Sequence, residues 1–242
     1  MAELSVTRFS GVAAALWAAS ALVGAAESGQ AALTINPRFH SAGYFPFTGA
    51  LLNLNPVADV TFFYEKERFG FFLFQSVDLA DRHSFANYFQ PGVFASFNVH
   101  RSLRIRTIFG YVFSQTQGFR DADSDFYALA MVNWRMSKHI RLENSLQFYD
   151  YSNRTKLADR VLLEWSSGKF RTALFLWQRV VLEDGFSSTS AALSLTISII
   201  ELGEKGTLDL TSSYMGFLSA RKPDFALRNG FFLTVAVPIT LR

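Results

Sequence analysis

The chain has 242 residues, half of them hydrophobic and 26 of them phenylalanine, with no cysteine and a net charge of +3. Without cysteine there are no disulfides, no thiolate metal sites, no cysteine nucleophile and no acylated lipoprotein anchor. So small a charge does not suit a nucleic-acid partner, and the mature part has no apolar run of the roughly 18 residues that a membrane-spanning helix needs.

Residues 1–25 stand apart in composition. Arg8 is the only basic residue of the block, Gly11 to Val23 is apolar and Ala-rich, and Val23-Gly24-Ala25 or Gly24-Ala25-Ala26 offers small residues for cleavage. This is the pattern of a secretory signal peptide, and it leaves 26–242 as one mature domain.

Next comes the least regular stretch. A strand is predicted at 31–39, but Pro37, Gly43, Pro46, Gly49 and Pro56 interrupt the segment 31–56, and proline in a sheet is confined to edges, ends and bulges. Two readings are open for 40–56: an external loop, or a plug folded into the interior with Phe45 and Phe47 filling space.

From residue 57 the chain repeats strand, short turn, strand, longer polar loop. Strands are predicted at 57–66, 69–79, 90–99, 103–114, 125–136, 140–150, 158–167, 170–182, 189–200, 207–218 and 229–241. With 31–39 that makes about twelve, an even number. Short turns fall at Lys66-Glu67-Arg68, His100-Arg101-Ser102, Ser137-Lys138-His139, Ser167-Gly168-Lys169 and, a little longer, Glu201 to Gly206. The longer connections fall at 40–56, 80–89, 115–124, 151–157, 183–188 and 219–228, so every connection sorts onto one of two ends.

Side chains along a strand alternate between faces. In the 140–150 strand Ile140, Leu142, Leu146 and Phe148 oppose Arg141, Glu143, Ser145 and Gln147. Leu103, Ile105, Phe109, Tyr111 and Phe113 likewise oppose Arg104, Arg106, Gly110 and Ser114. In the 189–200 strand Leu193, Leu195 and Ile197 oppose Ser194, Thr196 and Ser198, and the last strand sets Phe231, Leu233 and Val235 against Thr234 and Ala236. The phases of 69–79 and 170–182 stay open because Phe and Leu occupy both faces, and Trp177 could face either way. An apolar face on every strand, with short turns at one end and long loops at the other, describes a closed antiparallel up-and-down barrel in an outer membrane. Both termini then share the short-turn, periplasmic side. Tyr64, Trp134 and Trp165 lie near short turns on the apolar phase, where an interfacial aromatic girdle belongs.

The chain thus resembles the Gram-negative outer-membrane β-barrel proteins of the small, porin-like kind, over essentially everything after residue 30. Asn229-Gly230-Phe231-Phe232-Leu233-Thr234-Val235 looks like the C-terminal targeting signal of that class, with Asn229, Gly230, Leu233 and Val235 carrying the pattern. Members typically end in an aromatic residue, where this chain has Leu241-Arg242. The resemblance implies the barrel assembly machinery as a partner in biogenesis, and outer-membrane lipids and lipopolysaccharide as surroundings.

On these phases the interior receives Arg104, Arg106, Arg135, Arg141 and Arg171 together with Asp59, Glu143, Glu164 and Asp209, while Arg179 lies on a strand of open phase. The first functional reading is a pore for passive diffusion of small hydrophilic solutes, with an arginine-rich wall that favours anions. The alternative is a non-conducting structural or interaction barrel, braced inside by arginine–carboxylate pairs such as Arg135 with Glu143. Width does not choose between them: about 8 strands enclose side chains only and about 16 to 18 an open channel. A lipid hydrolase is a third reading, since some twelve-stranded outer-membrane barrels are phospholipases. However, the His-x-Ser arrangement of that family is missing, and His40-Ser41 and His83-Ser84 point to opposite faces. His100 and His139 fall in short turns and are expected to be solvated. A soluble ligand-carrying barrel would have fewer strands and less outward Phe. No cofactor and no metal site are expected. The acid-rich loop 117–125 either holds a divalent ion bridging lipopolysaccharide or is a solvated loop, and Arg154, Lys156 and Arg160 at a loop edge are read as facing lipid phosphates.

Overall fold

The computed structural model describes residues 31–45, 50–80, 88–114, 124–152, 154–221 and 229–241. The expected signal peptide and Phe47 lie outside the described residues. The strands in chain order are β1 (Ala32–His40), β2 (Gly43–Phe45), β3 (Ala50–Asn53), β4 (Val57–Lys66), β5 (Phe69–Asp78), β6 (Tyr88–His100), β7 (Leu103–Ser114) and β8 (Asp125–Arg135). They continue with β9 (Ile140–Tyr149), β10 (Lys156–Ser167), β11 (Phe170–Val181), β12 (Ser187–Glu201), β13 (Thr207–Arg221), β14 (Gly230–Ala236) and β15 (Ile239–Leu241).

From β4 to β14 each strand pairs antiparallel with the next, and β1 closes the ring by pairing with β4 on one side and with β14 and β15 on the other. Pieces β14 and β15 are one last strand broken at Val237-Pro238, so the ring is a closed twelve-stranded barrel. The break has a cause, because proline cannot donate to a ladder. Across it stands Pro37 of β1, whose carbonyl accepts from Val237 N at 3.0 Å. The seam is therefore two ladders of three residues each, Arg38 to His40 against Thr234 to Ala236 and Leu33 to Ile35 against Ile239 to Leu241.

Alternation and turn chemistry place the strands where the residue pattern puts them, with β4 and β7 matching residue for residue. Strand β6 begins earlier, at Tyr88, β10 at Lys156, and β13 runs on to Arg221. The tight turns use left-handed residues, Glu67 at φ 58° and Gly168 at φ 55°, a conformation glycine adopts without steric cost.

The pleat sorts side chains as a lipid-facing barrel requires. Phe71, Phe109, Leu163, Leu174, Leu193, Leu195 and Phe231 point outward and are exposed, while Ser76, Gln90, Glu143, Gln147, Ser194 and Asp209 on the opposite phase are buried. The open phases of β5 and β11 resolve with Phe72, Phe74 and Trp177 inward, each at most 1% exposed.

Segments β2 and β3 form a hairpin of their own, and it packs against the inner wall. Ala42 and Leu51 are buried in one cluster with Trp177, Ala192, Met215 and Phe232, all inward residues of β11 to β14. Of the two readings for 40–56, the described residues Ala42 and Leu51 take the inward one.

Candidate functional site

The lumen has two halves of different chemistry. Toward the longer loops it is packed. Val57, Phe72, Phe74, Tyr88, Ile108, Val112, Tyr127 and Tyr149 belong to a buried apolar cluster on the inner faces of β4 to β10. Gly92 and Gly110 face each other across β6 and β7, and the Tyr127 ring occupies the space their side chains would need, with its hydroxyl donating to the Pro91 carbonyl at 3.3 Å. On the opposite wall the hairpin covers Trp177, whose ring stacks on Phe175 with centroids 5.1 Å apart.

Charged groups in this half are buried and bonded. His40 joins Asp59 through Nε2 at 2.8 Å and Thr234 Oγ1 through Nδ1 at 2.7 Å. Arg38 Nε donates to the other Asp59 oxygen at 2.6 Å. The cluster spans β1, β4 and β14, so it fixes both stems of the hairpin to the seam. Asn55 adds a bond to Asp78 at 3.0 Å, and Lys156 pairs with Asp150 at 2.7 Å. Burying these charges costs desolvation, which the pairing and added hydrogen bonds offset, and removing one partner would leave the other uncompensated.

Toward the short turns the inward face is ionic and partly open to water. Glu65 of β4 binds both Arg104 and Arg106 of β7, the latter at 2.9 Å. Arg106 lies over the rings of Phe63 and Phe94, with its Cζ 4.8 and 4.5 Å from their centroids, and donates to Ser96 Oγ at 3.1 Å. Cation–π contact on two rings holds its fork rigidly. Glu143 pairs with Arg160 and, at 3.7 Å, with Arg141, which also reaches Glu164 at 3.3 Å. Arg171 pairs with Asp209, which accepts from Ser198 at 2.9 Å. The Arg104, Arg141 and Arg171 side chains remain 39, 42 and 39% exposed, against 3% for His40 and 8% for Lys156 in the other half. A recess of about 370 Å³ opens beside Arg104, Arg106, Arg135 and Arg141.

Several expectations change. Arg135 stands opposite Arg141, and Glu143 opposite Asn133, so Glu143 is taken by Arg160 and Arg141, and Arg135 has no ion-pair partner among the described residues. Arg160 points into the lumen rather than to lipid phosphates, because β10 begins at Lys156 and carries both residues on its inward phase. Arg154 pairs with Asp184. Asp125 is the first residue of β8, buried, and bonded to the backbone nitrogens of Phe126 and Ser152. Most of the acid-rich loop before it lies outside the described residues, and among those described no group of three or more ligand-type side chains could hold a metal. His100 and His139 are exposed, as expected, with His100 bonded to Ser102 Oγ at 2.9 Å and His139 donating to the Ser166 carbonyl at 2.8 Å.

Tyr64, Trp134 and Trp165 all point outward near the short turns, exposed by 44, 43 and 49%. Asn229 accepts from Phe217 N at 2.8 Å, Gly230 opens β14, and Leu233 and Val235 face outward. Arg179 is buried on the inner face, over the ring of Phe186. Residue-level reasoning missed Glu65, Arg38 and the His40–Asp59 pair. Glu65 lies near the end of the predicted strand 57–66, and only the pairing of β4 through β7 carries it to Arg104.

No protein-family model matches the sequence, and no curated protein matches it significantly. Solved structures do. An outer membrane channel from Pseudomonas putida F1 superposes with a TM-score of 0.57 at 8% identity, covering 90% of this chain and 100% of that one. OccAB3 of Acinetobacter baumannii gives 0.41 at 12% identity over 84% of this chain and 59% of its own, and the CymD monoaromatic hydrocarbon channel gives 0.39 at 7% over 90 and 94%. The first of these carries the likeness, and with the closed twelve-strand ring it gives this chain the fold of an outer-membrane channel.

Proposed function

We propose that the protein is an integral outer-membrane barrel that passes small hydrophilic solutes by diffusion, with the β2–β3 hairpin as an internal plug that limits conductance. The observation that carries this reading is the sorting of the wall, apolar outside and ion-paired inside, around a closed ring. Nothing in a soluble setting calls for a belt of outward Phe and Leu, and a polar inner face is what an aqueous path uses. The turn-side half carries Arg104, Arg106, Arg135, Arg141, Arg160 and Arg171 against Glu65, Glu143, Glu164 and Asp209, and that cationic excess favours anions.

In this reading residues 1–25 direct export, both termini are periplasmic, and Tyr64, Trp134 and Trp165 sit at the periplasmic membrane interface. Asn229, Gly230, Leu233 and Val235 are read by the barrel assembly machinery, and the long loops meet lipopolysaccharide. The protein is not an enzyme in this reading. A second reading, a non-conducting structural barrel, is favoured by one observation, the tight packing of the loop-side lumen.

Single-channel recording of the refolded mature chain in a planar bilayer, with reversal potentials in a salt gradient, tests the choice. Stable openings with anion preference are expected, and Arg104→Glu combined with Arg106→Glu should lower that preference. Silence from an inserted, β-rich protein whose hairpin has been removed would favour the structural barrel.

A further inference from the structure

Strands β8 and β9 place Arg135 directly opposite Arg141. Like charges facing each other across a ladder are destabilising, and an alternating sheet has many ways to avoid them. Here the pair is reinforced rather than relieved. The same recess is lined by Asn98, Arg101, Arg104, Asn133, Arg135 and Arg141, with no carboxylate among its lining residues. Register holds three of these in one row, with Asn98 opposite Arg104 and Arg104 opposite Asn133.

The nearby acids are already engaged. Glu65 serves both Arg104 and Arg106, and Glu143 serves Arg160 as well as Arg141. Arg101 and Arg135 bring charge that no described carboxylate answers. Two buried donors, Arg104 Nε and Arg141 Nε, have no acceptor among the described residues, and a buried donor without an acceptor costs stability. Guanidinium groups and side-chain amides lining one recess, with no carboxylate beside them, make an oxyanion binder.

We propose that this recess is a discrete binding site for a small oxyanion, a phosphate or carboxylate group, at the short-turn mouth of the lumen. Arg135 and Arg141 grip the anion from adjacent strands, Arg104 and Arg101 close over it, and Asn98 and Asn133 donate from their amides. The site rests on the channel reading only for its role, which is to collect anionic solutes at the mouth. Its existence is measurable without conduction.

The test uses inorganic phosphate titrated calorimetrically into the refolded mature chain in detergent, with ionic strength held constant by sodium chloride. Wild type should bind one phosphate saturably and melt at a higher temperature with it. Arg135→Ala should weaken binding by about tenfold, the loss expected of one charge-assisted contact. Arg135→Glu is the sharper variant, because it turns a like-charge pair into an opposite-charge pair with Arg141: it should abolish phosphate binding while raising the melting temperature in phosphate-free buffer. Absence of saturable binding by wild type, or wild-type affinity in Arg135→Glu, would overturn the site. A barrel that conducts but binds no phosphate removes the site and leaves the channel, whereas a silent barrel that binds phosphate keeps the site and removes the channel.

Discussion

The loop-side and turn-side halves of the lumen share one pleated wall and one set of inward positions, yet they solve opposite problems. Where the lumen is packed, aromatic rings and the hairpin exclude water, and the buried charges of Asp59, Asp78, Asp150 and Lys156 are bonded. Where it is open, arginines outnumber carboxylates and water screens the surplus. The partly exposed arginines Arg104, Arg141 and Arg171 make pairs worth little each and are free to specialise in what they attract, whereas the buried Glu143–Arg160 pair also holds the wall together. Removal of a partner in the loop-side half would strand a charge in a dry interior. In the proposed channel, the packed half closes the lumen and the open half sets what enters it.

The largest expected effect comes from emptying the packed half. Replacing 41–56 with a short Gly-Ser linker removes Leu51 from Trp177, Ala192, Met215 and Phe232, and single-channel conductance should rise several-fold. Unchanged conductance would mean that another segment limits flow. Trp177→Ala leaves a void beneath the hairpin and should cost about 3–5 kcal/mol in denaturant unfolding from detergent. In the open half, Glu143→Gln leaves Arg160 and Arg141 without their shared acid. It should destabilise by about 3 kcal/mol and move the reversal potential toward stronger anion preference, and a shift toward cations would break the division between the halves. Gly92→Ala pushes on the Tyr127 ring and should cost about 1–3 kcal/mol. Smallest is Trp134→Leu on the outer face, expected to lower stability in lipid by under about 1 kcal/mol with conductance unaltered.

The halves also differ in how legible they are in the residues. Arg104 and Arg141 each sit between two apolar residues, which declares their face, and Arg106 and Glu143 follow two residues on in the same phase. In β5 and β11 the inward Phe72, Phe74 and Trp177 alternate with outward Phe71, Leu73 and Leu176, and two apolar faces carry no phase. The inward hairpin is equally hidden, since prolines and glycines mark a departure from the strand pattern without saying where the chain goes. Arg135 reads onto the right strand but the wrong partner, because register across a three-residue turn decides between Glu143 and Arg141. Glu65 is invisible for a different reason: its partners lie on β7, which no local pattern on β4 can announce.

The seam at Pro37 and Pro238 gives the barrel a sense of time. Each of the other wall pairings joins successive strands of the ring, β1 to β4 across the hairpin included, whereas β1 with β14 and β15 joins its two ends, and contacts so distant in sequence close their loop at the greatest entropic cost. Two prolines then leave this slowest junction with a divided ladder. Closing the ring is therefore expected to come last in folding and its opening first in unfolding, so that amide exchange at Ile35 and Val235 should outrun that at Leu142 and Leu163.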